Sequence, residues 1–284
     1  MIDFVKLHYT TPCIDAFLDF HKECKMEHIC NNQDGEVGTT KFKVRGFEIK
    51  ILHSSNTKLY YVYIKGSLHK DYFDGKNYKR FTQELLNQEI DILCKALNLK
   101  AKDLEVLNLE IGVNIELPFS PIKFLEENLL LIGTKEFLRY ERGRDGKELG
   151  YHCGELPEVK IYDKGLQYDL PYFLMRFEHR FRKTAPLKEA GINTLDDLRI
   201  SSNIEKLAGK LLKGWRNILF CNSELDYKNE AYTEKERELV KEGVNIKYWR
   251  GLLSNNETRS SFGYHRKLYR ELLEKHGKSE QSNL

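Results

Sequence analysis

Three segments of this sequence alternate polar and apolar side chains, so that each would gather its polar groups on one face of a strand. From Leu107 to Leu117 every odd position is apolar, and the even ones are Asn108, Glu110, Gly112, Asn114 and Glu116. Val159 to Lys164 sets Val159 and Ile161 against Lys160, Tyr162 and Lys164. Phe173 to Arg182 sets Phe173, Met175, Phe177 and Phe181 against Arg176, Glu178, Arg180 and Arg182, with His179 interrupting the apolar side. On neighbouring strands these would bring two carboxylates, a tyrosine and several cations onto one surface. An earlier strand ends in Gly66-Ser67-Leu68-His69-Lys70 and can add the His69 imidazole at the rim.

Such a surface suits phosphodiester chemistry. Positive charge lets a phosphate approach, carboxylates hold the hard divalent ion that neutralises the transition state, and tyrosine can be a covalent nucleophile. With a pKa of ~10, about one phenol in a thousand is ionised at neutral pH, so a metal or lysine must stabilise the phenolate. Lys160 and Lys164 share the strand face of Tyr162 and could do so. The plainer reading stands beside this one: a polar strand face is often only solvated, and Arg176 with Glu178 can belong to a cross-strand ion-pair ladder. Most of the 16 tyrosines serve packing, and parity alone does not single out Tyr162.

The elements that would position these groups follow from the same patterns. Strands are expected at Ile2 to Tyr9, Thr39 to Val44, Phe47 to His53 and Leu59 to Gly66, with a turn at Asn31 to Gly35 and a helix over Ile14 to Lys22. Phe81 to Leu97 carries Leu86, Ile90, Leu93 and Leu97 on one helical stripe. Ser120-Pro121 opens a helix expected to run to about Leu131, followed by strands at Phe137 to Glu141, Val159 to Asp163 and Phe173 to Lys183. Beyond Pro186 helices dominate: Leu187 to Ala190, Thr194 to Leu198, Ile204 to Phe220, Glu234 to Lys241, Ile246 to Leu253 and Ser260 to Lys275. The expected class is α+β, a mainly antiparallel sheet flanked by helices and followed by an all-helical C-terminal region. A catalytic domain would occupy residues 1–185 and a helical region residues 186–284.

The 284 residues carry 46 Lys+Arg against 43 Asp+Glu, which excludes a chain that is basic throughout but permits a local basic face. From Gly243 to Lys278, eight cations (Lys247, Arg250, Arg259, Arg266, Lys267, Arg270, Lys275 and Lys278) stand against Glu257, Glu271 and Glu274. That local excess of +5 leaves −2 of the net +3 for everything else. Tyr248, Trp249, Phe262, Tyr264 and Tyr269 interleave with the cations, as where helices meet phosphates over a small apolar core. The last two helices, joined near Ser254-Asn255-Asn256, could form a helix-turn-helix-like unit; a basic tail that only covers the rest of the chain is the alternative.

The six cysteines show no framework spacing, and the N-terminus no secretory leader, so free thiols in a cytoplasmic, reducing compartment are expected. His21, Cys24, His28 and Cys30 offer zinc-type atoms, yet they crowd together instead of forming two separated ligand pairs, and surface histidines with half-buried cysteines are expected instead. The longest aliphatic run, Leu129 to Ile132, is far short of the ~20 residues of a membrane span.

The start Met1-Ile2-Asp3, the strand Leu107-Asn108-Leu109-Glu110-Ile111-Gly112-Val113, then Lys160-Ile161-Tyr162-Asp163-Lys164-Gly165 and Leu174-Met175-Arg176-Phe177-Glu178 resemble, in order, segments of rolling-circle replication initiators. The likeness is to the filamentous-phage nicking initiator and the transferase-type plasmid initiators, over roughly residues 1–220. Those families carry an Arg-Ile-Asp-like strand, a Tyr-x-Lys segment and an Arg-x-Glu strand. Here the acid is Glu110 in place of Asp, Asn108 stands where Arg is frequent, and there is no His-hydrophobic-His motif. The resemblance implies a metal-dependent enzyme that nicks one strand at an origin, stays linked to the 5′ phosphate, leaves a 3′ hydroxyl and later rejoins the strand. It implies Tyr162 as nucleophile, with Tyr168 and Tyr140 as alternatives; Glu110, Glu178 and His69 as ligands of Mg²⁺ or Mn²⁺; and Lys164 and Arg176 on the scissile phosphate. The DNA-contacting set would be Lys160, Arg176, Arg180 and Arg182 on the strands, and Lys247, Arg250, Arg259, Arg266, Lys267 and Arg270 in the C-terminal helices. Expected partners are origin DNA, single-stranded or supercoiled, with a host helicase and a second copy of the chain as further candidates. A non-catalytic DNA-binding regulator of the same fold and a tyrosine transposase or recombinase are the rival functions.

Overall fold

The computed structural model describes residues 2–30, 37–142, 146–154, 158–222, 225–226, 228–255 and 257–276. The expected turn at Asn31 to Gly35, together with Met1, Asn256 and the end of the chain from Gly277 with Lys278, lies outside the described residues. The strands are β1 (Ile2–Thr11), β2 (Glu27–Cys30), β3 (Val37–Val44), β4 (Phe47–Ser54), β5 (Leu59–Ser67), β6 (Glu105–Leu117), β7 (Leu129–Ile132), β8 (Lys135–Glu136), β9 (Leu138–Arg142), β10 (Glu148–Cys153), β11 (Glu158–Asp163), β12 (Phe173–Phe181) and β13 (Ile218–Phe220). The helices are α1 (Asp15–Phe20), α2 (Leu68–Tyr72), α3 (Gln83–Leu97), α4 (Pro121–Asn128), α5 (Lys164–Gln167), α6 (Ala185–Glu189), α7 (Ser201–Arg216), α8 (Glu234–Gly243), α9 (Ile246–Ser254) and α10 (Phe262–His276).

The class is α+β, as expected. Ten strands form one antiparallel sheet in the order β2-β3-β4-β5-β1-β6-β12-β11-β10-β9, and β13-β7-β8 form a second, small sheet. Chain contacts divide the protein into two compact units that interleave in sequence: Met1–Val113, Glu155–Glu158 and Glu178–Leu211 in the first, Asn114–Gly154, Val159–Phe177 and Leu212–Leu284 in the second.

In the first unit, the period of two along β1, β4 and β5 separates a buried face from a half-exposed one. Val5, Leu7, Ile49, Val62 and Ile64 are fully buried, while Lys6, His8, Lys50 and Tyr63 between them are not. α3 supplies a matching apolar stripe, with Leu86, Ile90, Leu93 and Leu97 buried, Thr82 capping its start and Asn98 closing it in the left-handed region. In the second unit, α8, α9 and α10 share a core with the small sheet, centred on Trp249 and Tyr269 and reaching Leu131 and Leu219. Gly243 lets the Tyr269 ring lie against its backbone, where a Cβ would come within 2.5 Å of the ring.

Two helix ends were misread by pattern. Leu129 to Ile132 continues α4 in hydrophobicity, but it is β7, and the expected helix to Phe220 stops at Arg216 and becomes β13. The two short apolar runs satisfy each other's backbones as strands, Ile218 opposite Ile132 and Leu219 opposite Leu131, a pairing that periodicity cannot reveal. β13 is thus a strand inside the region expected to be all helical. Among the described residues no helix is long and apolar enough to cross a membrane, and Cys13, Cys24, Cys94, Cys153 and Cys221 are free thiols. His21 is not on the surface as expected: it is buried against Phe17, Phe20 and Phe42.

One polar residue breaks the apolar stripe of α3. Glu89 is fully buried, 3.6 Å from the Arg45 guanidinium, which itself bonds Asp71 at 2.5 Å from the β3–β4 turn. Burial, helped by the Asp71 carboxylate and opposed by Arg45, pushes the Glu89 carboxyl up from 4.5 to about 8. The folded state therefore holds this proton more tightly than the unfolded chain, and the contribution to stability is complete below 4.5 and is lost as pH rises through about 8. Glu89→Gln should abolish that slope. Urea unfolding of both proteins from about pH 5 to about 9 should show the wild type losing stability relative to the variant; a constant difference would reject the assignment.

Candidate metal centre and nucleophile

The first unit brings three acids together from residues far apart in sequence. Asp3, Glu110 and Glu178 lie on β1, β6 and β12, which are consecutive in the sheet, and one carboxylate oxygen from each lies within 4.8 Å of the others. All three are buried. Glu110 and Glu178 reach this face by simple alternation, but Asp3 does not. Between Ile2 opposite Ile111 and Val5 opposite Leu109, β1 advances three residues while β6 advances two. All four of these apolar residues are on the buried side, so the extra residue turns both Asp3 and Phe4 to the other face. Arg180 confirms that face: its guanidinium lies 4.4 Å from the Phe4 ring and its Nε donates to Asn108 Oδ1 at 3.1 Å.

Asp3 is held on both oxygens. The Ser67 hydroxyl donates to Oδ1, and Asn77 Nδ2, itself buried, donates to Oδ2 at 2.6 Å. Ser67 also caps α2 by accepting from the Lys70 amide, so the strand-to-helix junction fixes the Asp3 carboxylate. Two charges at this separation repel by about 3–4 kcal/mol at an effective dielectric of ~20, and three such pairs would favour a shared cation. An all-carboxylate set fits Mg²⁺ or Mn²⁺ better than a softer metal. His69 is not in the cluster: it is fully buried in α2, stacked on Phe81 at 4.9 Å and edge-on to Phe73. Asp3, in its place, was passed over because a strand parity read from sequence assumes no bulge.

In the second unit, β11 ends at Asp163 as expected, so Lys164 does not share a strand face with Tyr162. Asp163 ends it and caps α5, its Oδ1 accepting from the Leu166 amide at 2.8 Å, so Lys164 starts a helical turn. Burial raises the Asp163 pKa, and the amides of Leu166 and Gly165 oppose the rise. The turn folds Lys164 back over the strand. Its Nζ, fully buried, donates to Tyr162 Oη at 3.1 Å and lies 5.2 Å from the Tyr162 ring and 4.9 Å from the Tyr168 ring. Tyr162 stands opposite Gly150, which stands opposite Tyr140. A Cβ at Gly150 would come within 2.4 Å of the Ile161 carbonyl and Tyr162 Cβ, so glycine admits the close approach of the β11 backbone. Arg176 is fully buried and donates to Asn114 Oδ1 at 2.8 Å; Lys160 is half-buried, and Arg182 is exposed just past the end of β12.

The C-terminal cations divide into two groups. Arg250 makes a two-pronged contact with Glu136 at 2.5 Å, and its guanidinium holds the Glu136 carboxyl below its usual range. Arg266 donates to the carbonyl and side chain of Asn217, and Arg270 to the carbonyl of Ile218, fastening α10 to β13. Burial lowers both arginines, Arg266 to about 10. Lys247, Arg259 and Lys267 are exposed.

No protein-family model and no curated protein matches the chain. Among solved structures, the di-domain ARO/CYC BexL from the BE-7585A biosynthetic pathway is similar over 94% of this chain and 98% of its own, at 8% identity and a TM-score of 0.16. A likeness that weak carries no argument.

Thermal unfolding tests the acidic cluster directly. Mn²⁺ at a hundred times its Kd should stabilise the protein by about 2.7 kcal/mol. Asp3→Asn should lose this shift and, with one charge removed, melt higher than the wild type in EDTA. Asn77→Ala should weaken Mn²⁺ by at least about tenfold. A metal shift that survives Asp3→Asn would reject the ligand set.

Proposed function

We propose that this chain is a metal-dependent DNA nicking and strand-transfer enzyme that initiates replication at an origin, the reading implied by its resemblance to rolling-circle initiators. The observation that carries it is the buried Tyr162–Lys164 pair, since carboxylate clusters also serve hydrolytic nucleases whereas a phenol held 3.1 Å from an ammonium is suited to nucleophilic attack.

The Tyr162 phenol gives its proton to water as its oxygen attacks phosphorus, the bond from phosphorus to the 3′ oxygen breaks, and that oxygen takes a proton from water and leaves as a 3′ hydroxyl. The protein is then joined to the 5′ phosphate. In the reverse direction a 3′ hydroxyl attacks the phosphotyrosine and releases the phenol, so the strand is resealed without an external energy source. Lys164 stabilises the phenolate as it forms and later as it leaves. Arg176 is assigned to the phosphate, its fork of donors oriented by Asn114. In the first unit, Asp3, Glu110 and Glu178 would hold a divalent ion, whose chemistry would be charge neutralisation.

Incubation with supercoiled DNA of the protein's own replicon and Mn²⁺, followed by sequencing of the trapped covalent peptide, tests the reading. The adduct is expected on Tyr162. An adduct on Tyr168 or Tyr140 would keep the class and change the nucleophile, whereas binding without any adduct would favour the non-catalytic regulator. Mapping the cut ends separates an initiator from a transposase. Glu110→Gln and Glu178→Gln should bind DNA but not cleave it. Lys164→Met should slow adduct formation by roughly 10²–10³-fold, with less loss at high pH where the phenol ionises unaided; a pH-independent loss would reduce Lys164 to a packing role.

A further inference from the structure

The half-exposed face of the first unit's sheet is unusually charged. On it, Lys41 lies directly opposite Lys50, and Lys65 directly opposite Lys6. Like charges so paired destabilise a sheet, by a few tenths of a kcal/mol or more per pair, and a face that needed only to be wet would gain by replacing one of each. Lys65 is relieved by Glu48 at 3.0 Å, and Glu27, opposite Lys41, is another acid on this face. Among the described residues no carboxylate lies within ion-pair distance of Lys6, Lys41 or Lys50. The arrangement is poised for an anion that spans several strands.

The floor between the lysines is aromatic. Tyr63 faces His8 and Lys50 across its two neighbours, and Tyr61 is two residues along the same face. The His8 ring stacks on Tyr63 at 5.1 Å and on Tyr61 at 5.8 Å, and the Lys6 ammonium lies 5.0 Å over the Tyr63 ring. Lys6, Glu48, Lys50, Leu52, Tyr63 and Lys65 line a groove of about 310 Å³. Ring faces interleaved with ammonium groups fit unpaired bases and their phosphates; a duplex hides its base faces in its own stack. The face also leads to the carboxylates. Lys6 pairs with Asn108, two residues before Glu110 on β6, and Asn108 bonds Arg180, two residues after Glu178 on β12.

We infer that this face of β1, β3, β4 and β5 is a platform for single-stranded DNA, on which Tyr61 and Tyr63 stack bases while Lys6, Lys41 and Lys50 hold phosphates. The choice of DNA over RNA rests on the nicking function proposed above; the surface chemistry does not. The strand laid across the platform arrives at Asp3, Glu110 and Glu178, so the platform presents a strand to the metal centre.

Fluorescence anisotropy with a short labelled oligothymidylate, in EDTA and over a range of salt, tests this on the full chain. Lys6→Ala/Lys50→Ala should reduce the slope of log affinity against log salt by about 1.4, at about 0.7 per phosphate contact. Tyr63→Leu should weaken binding roughly tenfold and Tyr63→Phe should restore it, because the ring and not the hydroxyl stacks. Duplex of the same length should bind more weakly. Unchanged affinity and slope in the lysine variant, with an unchanged melting temperature, would overturn the platform, as would tighter binding of oligouridylate than of oligothymidylate. Should Tyr63→Leu lower the melting temperature, the lysine pair decides alone. No divalent ion or cleavage enters this assay, so its failure leaves the tyrosine adduct standing, and the absence of an adduct leaves the platform standing.

Discussion

Three carboxylates within 4.8 Å of one another, all buried, are the constraint around which the first unit is arranged. A strand that alternated simply would keep Asp3 on the other side of the sheet, away from Glu110 and Glu178. The β1 bulge overrides that alternation while leaving Ile2 and Val5 both on the buried side. Ser67 and Asn77 then occupy both oxygens of the displaced acid. Bulge and hydrogen bonds form one linked system: the bulge sets the side of the sheet on which Asp3 lies, and the donors fix the direction of its carboxylate.

That system makes the two faces of the sheet unequal. The buried face is apolar and matches the stripe of α3. The other carries the acids at one end, then Arg180 and Asn108, then the lysines and aromatic rings of β1, β4 and β5. Charge is sorted along this face, negative where a cation would bind and positive where phosphates would lie, a polarity that the near-neutral total of 46 cations and 43 acids does not display.

Much of this was legible as pattern. The alternation from Leu107 to Leu117 located β6 and put Glu110 on its polar face, and the Arg176-Glu178-Arg180 series did the same for β12. What escaped was whatever depends on pairing. A bulge is a property of two strands, so Asp3 could not be placed from its own neighbours, and β7 and β13 are apolar runs whose state is decided by each other. Lys164 was put on a strand because its parity suited, whereas the Asp163 cap turns the chain before it. The C-terminal charge excess was visible in composition, but Arg250, Arg266 and Arg270 engage protein acceptors, a role that a count of cations does not distinguish from phosphate binding.

The geometry around Lys164 also ranks the three tyrosines. Its ammonium is about equally far from the Tyr162 and Tyr168 rings, so both gain cation–π attraction, which acts on the neutral ring and does little for a developing phenolate. A hydrogen bond to the oxygen acts on the charge itself and strengthens as that charge grows. Lys164 makes this contact with Tyr162 Oη. Tyr140, opposite Gly150 on the other side of β10, has Arg142 over its ring at 5.2 Å. On the β10 side Tyr162 pairs with Gly150, whose missing side chain lets the β11 backbone lie close at this position. Tyr162, the proposed nucleophile, takes a hydrogen bond from Lys164 on its oxygen, and the cap that ends β11 puts the lysine there.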